Sequence, residues 1–144
     1  MRKFSMPMMN ADHRGGFWPI AQSGWAEVNY AETHAGKLRG NHFHKENYEL
    51  FFIIDGEVEV TLRSLKRPEP ETVVVSGGEA ILLEPYELHT FYSRSETRWI
   101  VLLSTGIDEA NPDFYGADDF EKMLEKPLPQ IQLPEMDWEY PLAS

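Results

Sequence analysis

The stretch Gly36–Gly56, GKLRGNHFHKENYELFFIIDG, decides the fold of this chain and holds its densest chemistry. His42 and His44 are alternate residues, so in a β-strand both imidazoles project from the same face, about 7 Å apart along the backbone. Glu49 comes later and can return to that face only if the chain bends, for instance at 45–47. Two imidazoles and a carboxylate on one concave sheet face are typical ligands of a first-row transition metal. The stretch therefore predicts a metal site that still needs a fourth ligand.

On both sides of this stretch, the sequence has short runs of β-forming residues separated by turn signals. Residues 49–54 are a dense apolar run that predicts a central strand, and Asp55-Gly56 is the strongest hairpin signal in the chain. The alternation that follows places Val58, Val60 and Leu62 on one face. Further strands are expected at 17–20, 25–30, 37–44, 72–75, 79–83, 88–93 and 98–104. Strands this short, with turns every ~8–12 residues and no helix between them, predict an all-β sandwich or barrel.

The chain is expected to divide into three parts. Residues 1–24 are predicted to be an N-terminal arm and residues 25–116 a barrel. Residues 117–144 are predicted to hold a short helix and a proline-rich extended tail that packs on the barrel or on a partner subunit. The helix is expected at 117–126, because acidic residues occupy its first turn and lysines lie toward its end.

Composition limits the classes of function. A chain of 144 residues is most simply one domain, and its 13 basic against 24 acidic residues give a net charge of −11. That charge disfavours nucleic acid and anionic membranes as partners. The absence of cysteine excludes disulfides and thiolate metal sites. No secretory signal and no apolar run of about 18 residues is visible, so we expect a cytoplasmic protein.

Two motifs carry a resemblance to a known superfamily. Gly36, His42, His44, Glu49 and Gly56 match the first cupin motif, G-x5-H-x-H-x4-E-x6-G, at every position. The chain thus resembles a single-domain cupin, and the resemblance implies a jelly-roll barrel of two packed antiparallel sheets.

The second cupin motif is matched in part. Gly78 and His89 keep its expected separation, whereas Pro85 falls one position late, Tyr86 replaces a glycine and Ser93 replaces a common asparagine. The resemblance implies that one divalent ion is coordinated by four residues, His42, His44, Glu49 and His89. These ligands suit Zn, Fe, Mn, Ni, Co or Cu and do not choose between them.

The flanks resemble the cupins that act on sugar nucleotides. Asp12–Gly15 and Gly36–His42 are similar to the D-x-R-G and G-x-L-R-G-x-H patterns of dTDP-4-dehydrorhamnose 3,5-epimerases and of the related keto-sugar isomerases. Residues 111–115 are similar to the N/Q-P-D-x-Y stretch of capsule-synthesis cupin domains. The resemblance implies an epimerase or isomerase of a keto sugar nucleotide that works through an enolate intermediate.

This resemblance also implies roles for individual residues. Arg39 would hold a phosphate or the sugar oxyanion. Two further substrate-binding candidates do not come from the resemblance: Tyr48 as a residue of the barrel mouth and Phe91 as part of a pocket wall. In the epimerases the histidine at the position of His42 is the base, which conflicts with a role as metal ligand, while Glu49 favours the metal. If His42 binds a metal, the base must come from elsewhere, and the candidates are His34, Glu27, Tyr48 and Tyr92.

Other functions fit the same motifs. A four-ligand cupin site also serves metal-dependent dioxygenases, lyases and cyclases, and a cupin barrel can bind a small effector without catalysis. A sugar nucleotide predicts at least two cationic side chains and an aromatic surface at the barrel mouth, whereas a dioxygenase predicts a drier, apolar pocket. We also expect a small-molecule ligand and a homodimer.

Overall fold

The computed structural model describes residues 2–5 and 10–126, which form twelve β-strands and one α-helix. The strands are β1 (Arg2–Ser5), β2 (Asn10–Asp12), β3 (Gly15–Phe17), β4 (Glu27–Thr33), β5 (Leu38–Phe43), β6 (Glu49–Asp55), β7 (Glu57–Ser64), β8 (Glu71–Ser76), β9 (Glu79–Leu83), β10 (Glu87–Ser93), β11 (Thr97–Leu103) and β12 (Tyr115–Gly116). The helix, α1, spans Ala117–Leu124. The all-β prediction is confirmed.

The strands form two five-stranded sheets. The first has the order β1-β9-β6-β11-β4 and the second the order β12-β5-β10-β7-β8, and all pairs are antiparallel. Strands β2 and β3 form a separate hairpin. From β4 to β12 the chain passes from one sheet to the other at every connection except β7 to β8, so the architecture is a jelly roll, as the cupin resemblance implies.

The turn at Asp55-Gly56 does not close a hairpin, so that prediction is wrong. Strand β6 lies in the first sheet and β7 in the second, and the chain crosses from one sheet to the other at Gly56. Gly56 has a φ of 103°, and a Cβ there would lie 2.6 Å from the carbonyl oxygen of Glu96. A sharp corner against neighbouring backbone therefore requires glycine, and this requirement produces the same local sequence as a hairpin turn.

The main core lies between the two sheets. Val58, Val60 and Leu62 are at most 5% exposed and face it together, which confirms the alternation read from the sequence. A second cluster covers the opposite face of the first sheet and is built on Leu50, Leu82 and Leu102. Burial of β6 on both faces explains why its sequence is a continuous apolar run instead of an alternating one.

The helix packs on the second sheet through Phe120, which is fully buried in a cluster with Phe43, Leu65 and Leu88. Its existence confirms the predicted helix, which ends two residues earlier than expected. The proline-rich tail, 127–144, lies outside the described residues, and the division into arm, barrel and tail stays a prediction. In the part of the chain that the structure describes, no helix has the length and apolarity needed to span a membrane.

Candidate metal centre

Four side chains from three segments of the chain converge between the sheets. His42 on β5 is paired with His89 on β10, His44 follows the end of β5, and Glu49 begins β6 in the opposite sheet. One nitrogen or oxygen atom from each of the four residues lies within 4.8 Å of the others. The turn expected at 45–47 thus returns the carboxylate to the histidines, and His89 completes the set.

A glycine allows β5 to approach β10 at this point. Gly40 has a φ of 97°, and a Cβ there would lie only 2.7 Å from the carbonyl oxygen of His89. The register of the two strands shifts between His89 and Thr90, next to this contact. The backbone of Asn41 also lies in the left-handed region, with a φ of 61°, so the strand is irregular directly before His42.

Three atoms of the cluster are buried without a hydrogen bond: Nε2 of His44, Nε2 of His89 and Oε1 of Glu49. Glu49 Oε1 lies 2.8 Å from His44 Nε2 and 3.4 Å from His89 Nε2, so the three atoms face one another. Buried polar atoms without partners are costly, and three of them beside one another need a common partner. A divalent cation would satisfy all three at once, so the residues present fit a metal ion.

The other ring nitrogen of two histidines is held by a backbone carbonyl. His89 Nδ1 lies 2.9 Å from the carbonyl oxygen of Glu87, and His44 Nδ1 contacts that of Asp113. A carbonyl only accepts hydrogen bonds, so each Nδ1 donates its proton and each Nε2 presents a lone pair to the cluster. Partners of this kind orient histidine ligands in metalloproteins.

The protonation states suit metal binding. Burial, with His89 and His44 nearby, lowers the pKa of His42 to about 4, and burial also lowers the pKa of His89. Burial opposes the charge on Glu49, but the neighbouring histidines outweigh it and its pKa is lowered. For His44, burial lowers the pKa and the Glu49 carboxylate raises it, with a net rise. The carboxylate and at least two imidazoles are therefore ready to coordinate at neutral pH.

Two cavities meet at the cluster and share His42, Glu49 and Val101. The loop cavity, of about 460 Å³, lies under the segment that follows β11, and the Phe114 ring centroid there is 4.5 Å from that of His42. The barrel cavity, of about 530 Å³, has an aromatic wall and a polar edge. Its aromatic wall consists of Phe51, Phe91 and Trp99, and its polar edge of Tyr30, Glu32 and Arg39.

A family model described as "Polysaccharide biosynthesis C-terminal domain" matches residues 10–115, which is most of the chain. The chain belongs to this family. No curated protein sequence matches it.

Solved structures share the fold. A 3,4-ketoisomerase from Helicobacter canadensis is 17% identical, with a TM-score of 0.74 over 87% of this chain and 97% of that one. The sugar 3,4-ketoisomerase QdtA from Thermoanaerobacterium thermosaccharolyticum, in complex with TDP, is 18% identical, with a TM-score of 0.72 over 86% and 93%. The capsular polysaccharide assembling protein CapF from Staphylococcus aureus is 22% identical, with a TM-score of 0.60. That match covers 78% of this chain but only 32% of CapF. These likenesses confirm the cupin-like fold of this family member.

Of the expected substrate-binding residues, two lie beside the cluster and one does not. Arg39 lines the barrel cavity, where its Nε donates to Thr33 Oγ1 (2.7 Å) and its Nη2 to the carbonyl oxygen of Glu32 (2.9 Å). Phe91 is 3% exposed in the wall of the same cavity. Tyr48 lines neither cavity, because it packs in the cluster on the opposite face of the first sheet.

The other three alternative bases line neither cavity. His34 is exposed, and its Nδ1 lies 3.0 Å from Glu96 Oε2. Tyr92 is 40% exposed on β10, where it projects away from the core that Phe91 enters. Glu27 does not line either cavity, although its Oε1 accepts from the backbone N–H of Ile107 at 3.1 Å, at the rim of the loop cavity.

Sequence reasoning missed Asp113, which contacts the segment between His44 and Glu49. Its carboxylate accepts hydrogen bonds from three consecutive backbone N–H groups of the turn 45–47. The N-P-D-x-Y resemblance pointed to this stretch without a role for the aspartate. The side chain is far from the turn in sequence, so only the folded chain brings them together.

Proposed function

We propose that this chain binds one divalent transition-metal ion and isomerises or epimerises a keto sugar through an enolate intermediate. The ligands in this proposal are His42, His44, Glu49 and His89. The observation that supports it most is the group of buried ligand atoms without hydrogen bonds, located where two cavities meet. The family described as polysaccharide biosynthesis and the fold shared with two ketoisomerases are consistent with a sugar substrate.

The reaction needs a proton to leave the carbon beside a carbonyl group and to return on another face or carbon. A metal ion bound here would polarise that carbonyl oxygen and stabilise negative charge on it. The aromatic wall of Phe51, Phe91 and Trp99 excludes water from one side of the barrel cavity. Arg39 at its edge supplies positive charge that favours an oxyanion or a phosphate.

His42 is a ligand in this proposal, so another group must transfer the proton. Tyr30 and Glu32 border the barrel cavity, and the Tyr30 hydroxyl donates to Glu32 Oε1 at 2.9 Å. Ala31 between them packs on the core between the sheets, so both side chains project from the opposite, outer face of β4. The hydrogen bond to Glu32 raises the pKa of Tyr30, which makes this phenol a weaker proton donor. We therefore assign the proton transfer to no described residue.

The substrate is proposed as a keto sugar, with the nucleotide left to experiment. A sugar nucleotide was expected to need at least two cationic side chains, and among the described residues that line the two cavities the only lysine or arginine is Arg39. The described residues of the two cavities therefore support a keto sugar as the substrate class and do not specify a nucleotide.

The test is hydrogen exchange at carbon. TDP-4-keto-6-deoxyglucose and the free 4-keto-6-deoxyglucose are each incubated with the protein in D₂O, with and without added Zn²⁺, Mn²⁺ or Fe²⁺. We expect metal-dependent deuterium incorporation at C3 or C5 of at least one of them. The absence of incorporation from both substrates with every metal would contradict the proposal.

A dioxygenase is the second candidate, and a specific observation favours it. Phe51, Phe91, Trp99 and Val101 make the inner side of the barrel cavity apolar, as expected for a site that handles O₂. Oxygen uptake by the Fe²⁺-loaded protein with a panel of small phenols and diketones would support this candidate over the isomerase.

A further inference from the structure

The segment after β11 is tied directly to the turn that carries the proposed metal ligands. We call residues 105–114 the cover segment, and eight of these ten residues line the loop cavity. At the start of this segment, the backbone N–H and the hydroxyl of Thr105 donate to Asn47 Oδ1, at 2.9 and 2.7 Å. Near its end, Asp113 makes four contacts to residues 44–47.

The Asp113 carboxylate accepts from three consecutive N–H groups. Oδ1 accepts from Lys45 N at 2.7 Å, and Oδ2 accepts from Glu46 N at 2.8 Å and from Asn47 N at 2.9 Å. Hydrogen bonds to a charged acceptor are about twice as strong as neutral ones. These three residues form the bend that separates His44 from Glu49, so the carboxylate fixes the geometry of that bend.

The backbone of the same residue reaches one ligand directly. The carbonyl oxygen of Asp113 contacts His44 Nδ1 and keeps the proton on that nitrogen, so the lone pair is on Nε2. Side chain and main chain of Asp113 therefore act on the same stretch, one on the bend and one on the histidine ring.

We propose that Asp113 is a positioning residue for the metal site and that it links the cover segment to the two ligands His44 and Glu49. It sets the distance between His44 and Glu49 through the bend, and it sets the ring orientation of His44. The inference rests on the proposed metal site. It also implies that metal binding and ordering of the cover segment favour each other.

The test compares Asp113→Asn with Asp119→Asn in the full chain. Asn is isosteric but replaces one acceptor oxygen with an NH₂ group that faces backbone donors. Asp119 is a matched control, because its Oδ2 also accepts a backbone N–H, that of Gly116 at 3.2 Å, but it makes no contact with the bend. Zn²⁺ affinity is measured by competition with a chelator, and Co²⁺ replaces it for visible spectroscopy.

We expect Asp113→Asn to weaken Zn²⁺ binding by about 10- to 100-fold and to alter the Co²⁺ absorption bands, as loss of such a supporting contact does in other metal sites. Asp119→Asn should bind as the wild type does. If the wild type binds metal and Asp113→Asn binds it equally tightly with an unchanged Co²⁺ spectrum, this inference fails alone. If the wild type binds no metal, the proposed function fails with it.

A measurement on the wild type tests the inference even if Asp113→Asn does not fold. Amide exchange at Lys45, Glu46 and Asn47 should be slow in the metal-free protein and slower after Zn²⁺ is added, together with the amides of the cover segment. Fast exchange at these three amides in the metal-free protein, or no response of the cover segment to Zn²⁺, would overturn the inference.

Discussion

His42 and His89 lie directly opposite each other on adjacent antiparallel strands, with ring centroids 4.7 Å apart in an edge-to-face arrangement. Side chains on opposed residues of such a pair share one face of the sheet. Two of the four proposed ligands are thus placed by strand pairing alone. The distance between the other two ligands, His44 and Glu49, depends on the bend after β5.

Metal content gives the first prediction. The protein purified without added metal should carry one equivalent of a divalent ion by elemental analysis, and His44→Ala should lose it, because that ring supplies a buried Nε2 without another partner. His34→Ala is the control, since His34 is exposed and lines neither cavity. Wild-type protein without stoichiometric metal would return His42 to the role of general base.

Metal should also stabilise the fold. At a free Zn²⁺ concentration of 100 times the Kd, the free energy of unfolding should rise by about 2.7 kcal/mol, because only the folded chain brings the four ligands together. Urea titrations with Zn²⁺ and with EDTA measure the difference. His44→Ala should show a much smaller response, and an equal response in both proteins would locate the ion elsewhere.

Gly40→Ala should destabilise the protein more than Gly36→Ala does. Both glycines have positive φ, at 97° and 81°, so both substitutions meet backbone strain of about 1–3 kcal/mol. Only at Gly40 would the new Cβ also clash with the carbonyl oxygen of His89, because nothing lies within 4 Å of a Cβ at Gly36. The free energy of unfolding in urea decides this, and equal losses would argue against the close approach of β5 and β10.

Phe120→Ala should cost about 3–5 kcal/mol of the free energy of unfolding, because the side chain is fully buried between α1 and Phe43. Lys122→Ala on the exposed part of the same helix should change it little. Chemical denaturation measures both. A small loss at Phe120 would mean that α1 does not depend on this contact.

Arg39→Gln should weaken substrate binding while metal content stays unchanged. Loss of a charged hydrogen bond costs about 1.5–3 kcal/mol, so KM for a phosphorylated substrate should rise by roughly 10- to 100-fold. Lys37→Gln, just outside β5, is the control. If the effect is the same for the nucleotide-linked sugar and the free keto sugar, Arg39 contacts the sugar and not a phosphate.

Local patterns in the sequence were enough for most of the fold. Alternation identified β7, apolar density identified β6, and the charge pattern identified α1, because each of these signals depends on neighbours within a few residues. Asp55-Gly56 shows the limit of such reasoning. A tight turn and a crossing between sheets need the same flexible residue, and only the packing of two distant strands distinguishes them.

The sequence by itself determined the ligand types and the spacing of His42, His44 and Glu49, since a strand and a bend relate them locally. The motif resemblance added His89, and its position opposite His42 was decided by the pairing of β5 with β10. Tertiary structure alone decided that Tyr48 packs on the outer face of the first sheet and that Asp113 reaches the bend. Contacts between residues so far apart in the chain arise from the closure of the two sheets, and no local pattern records them.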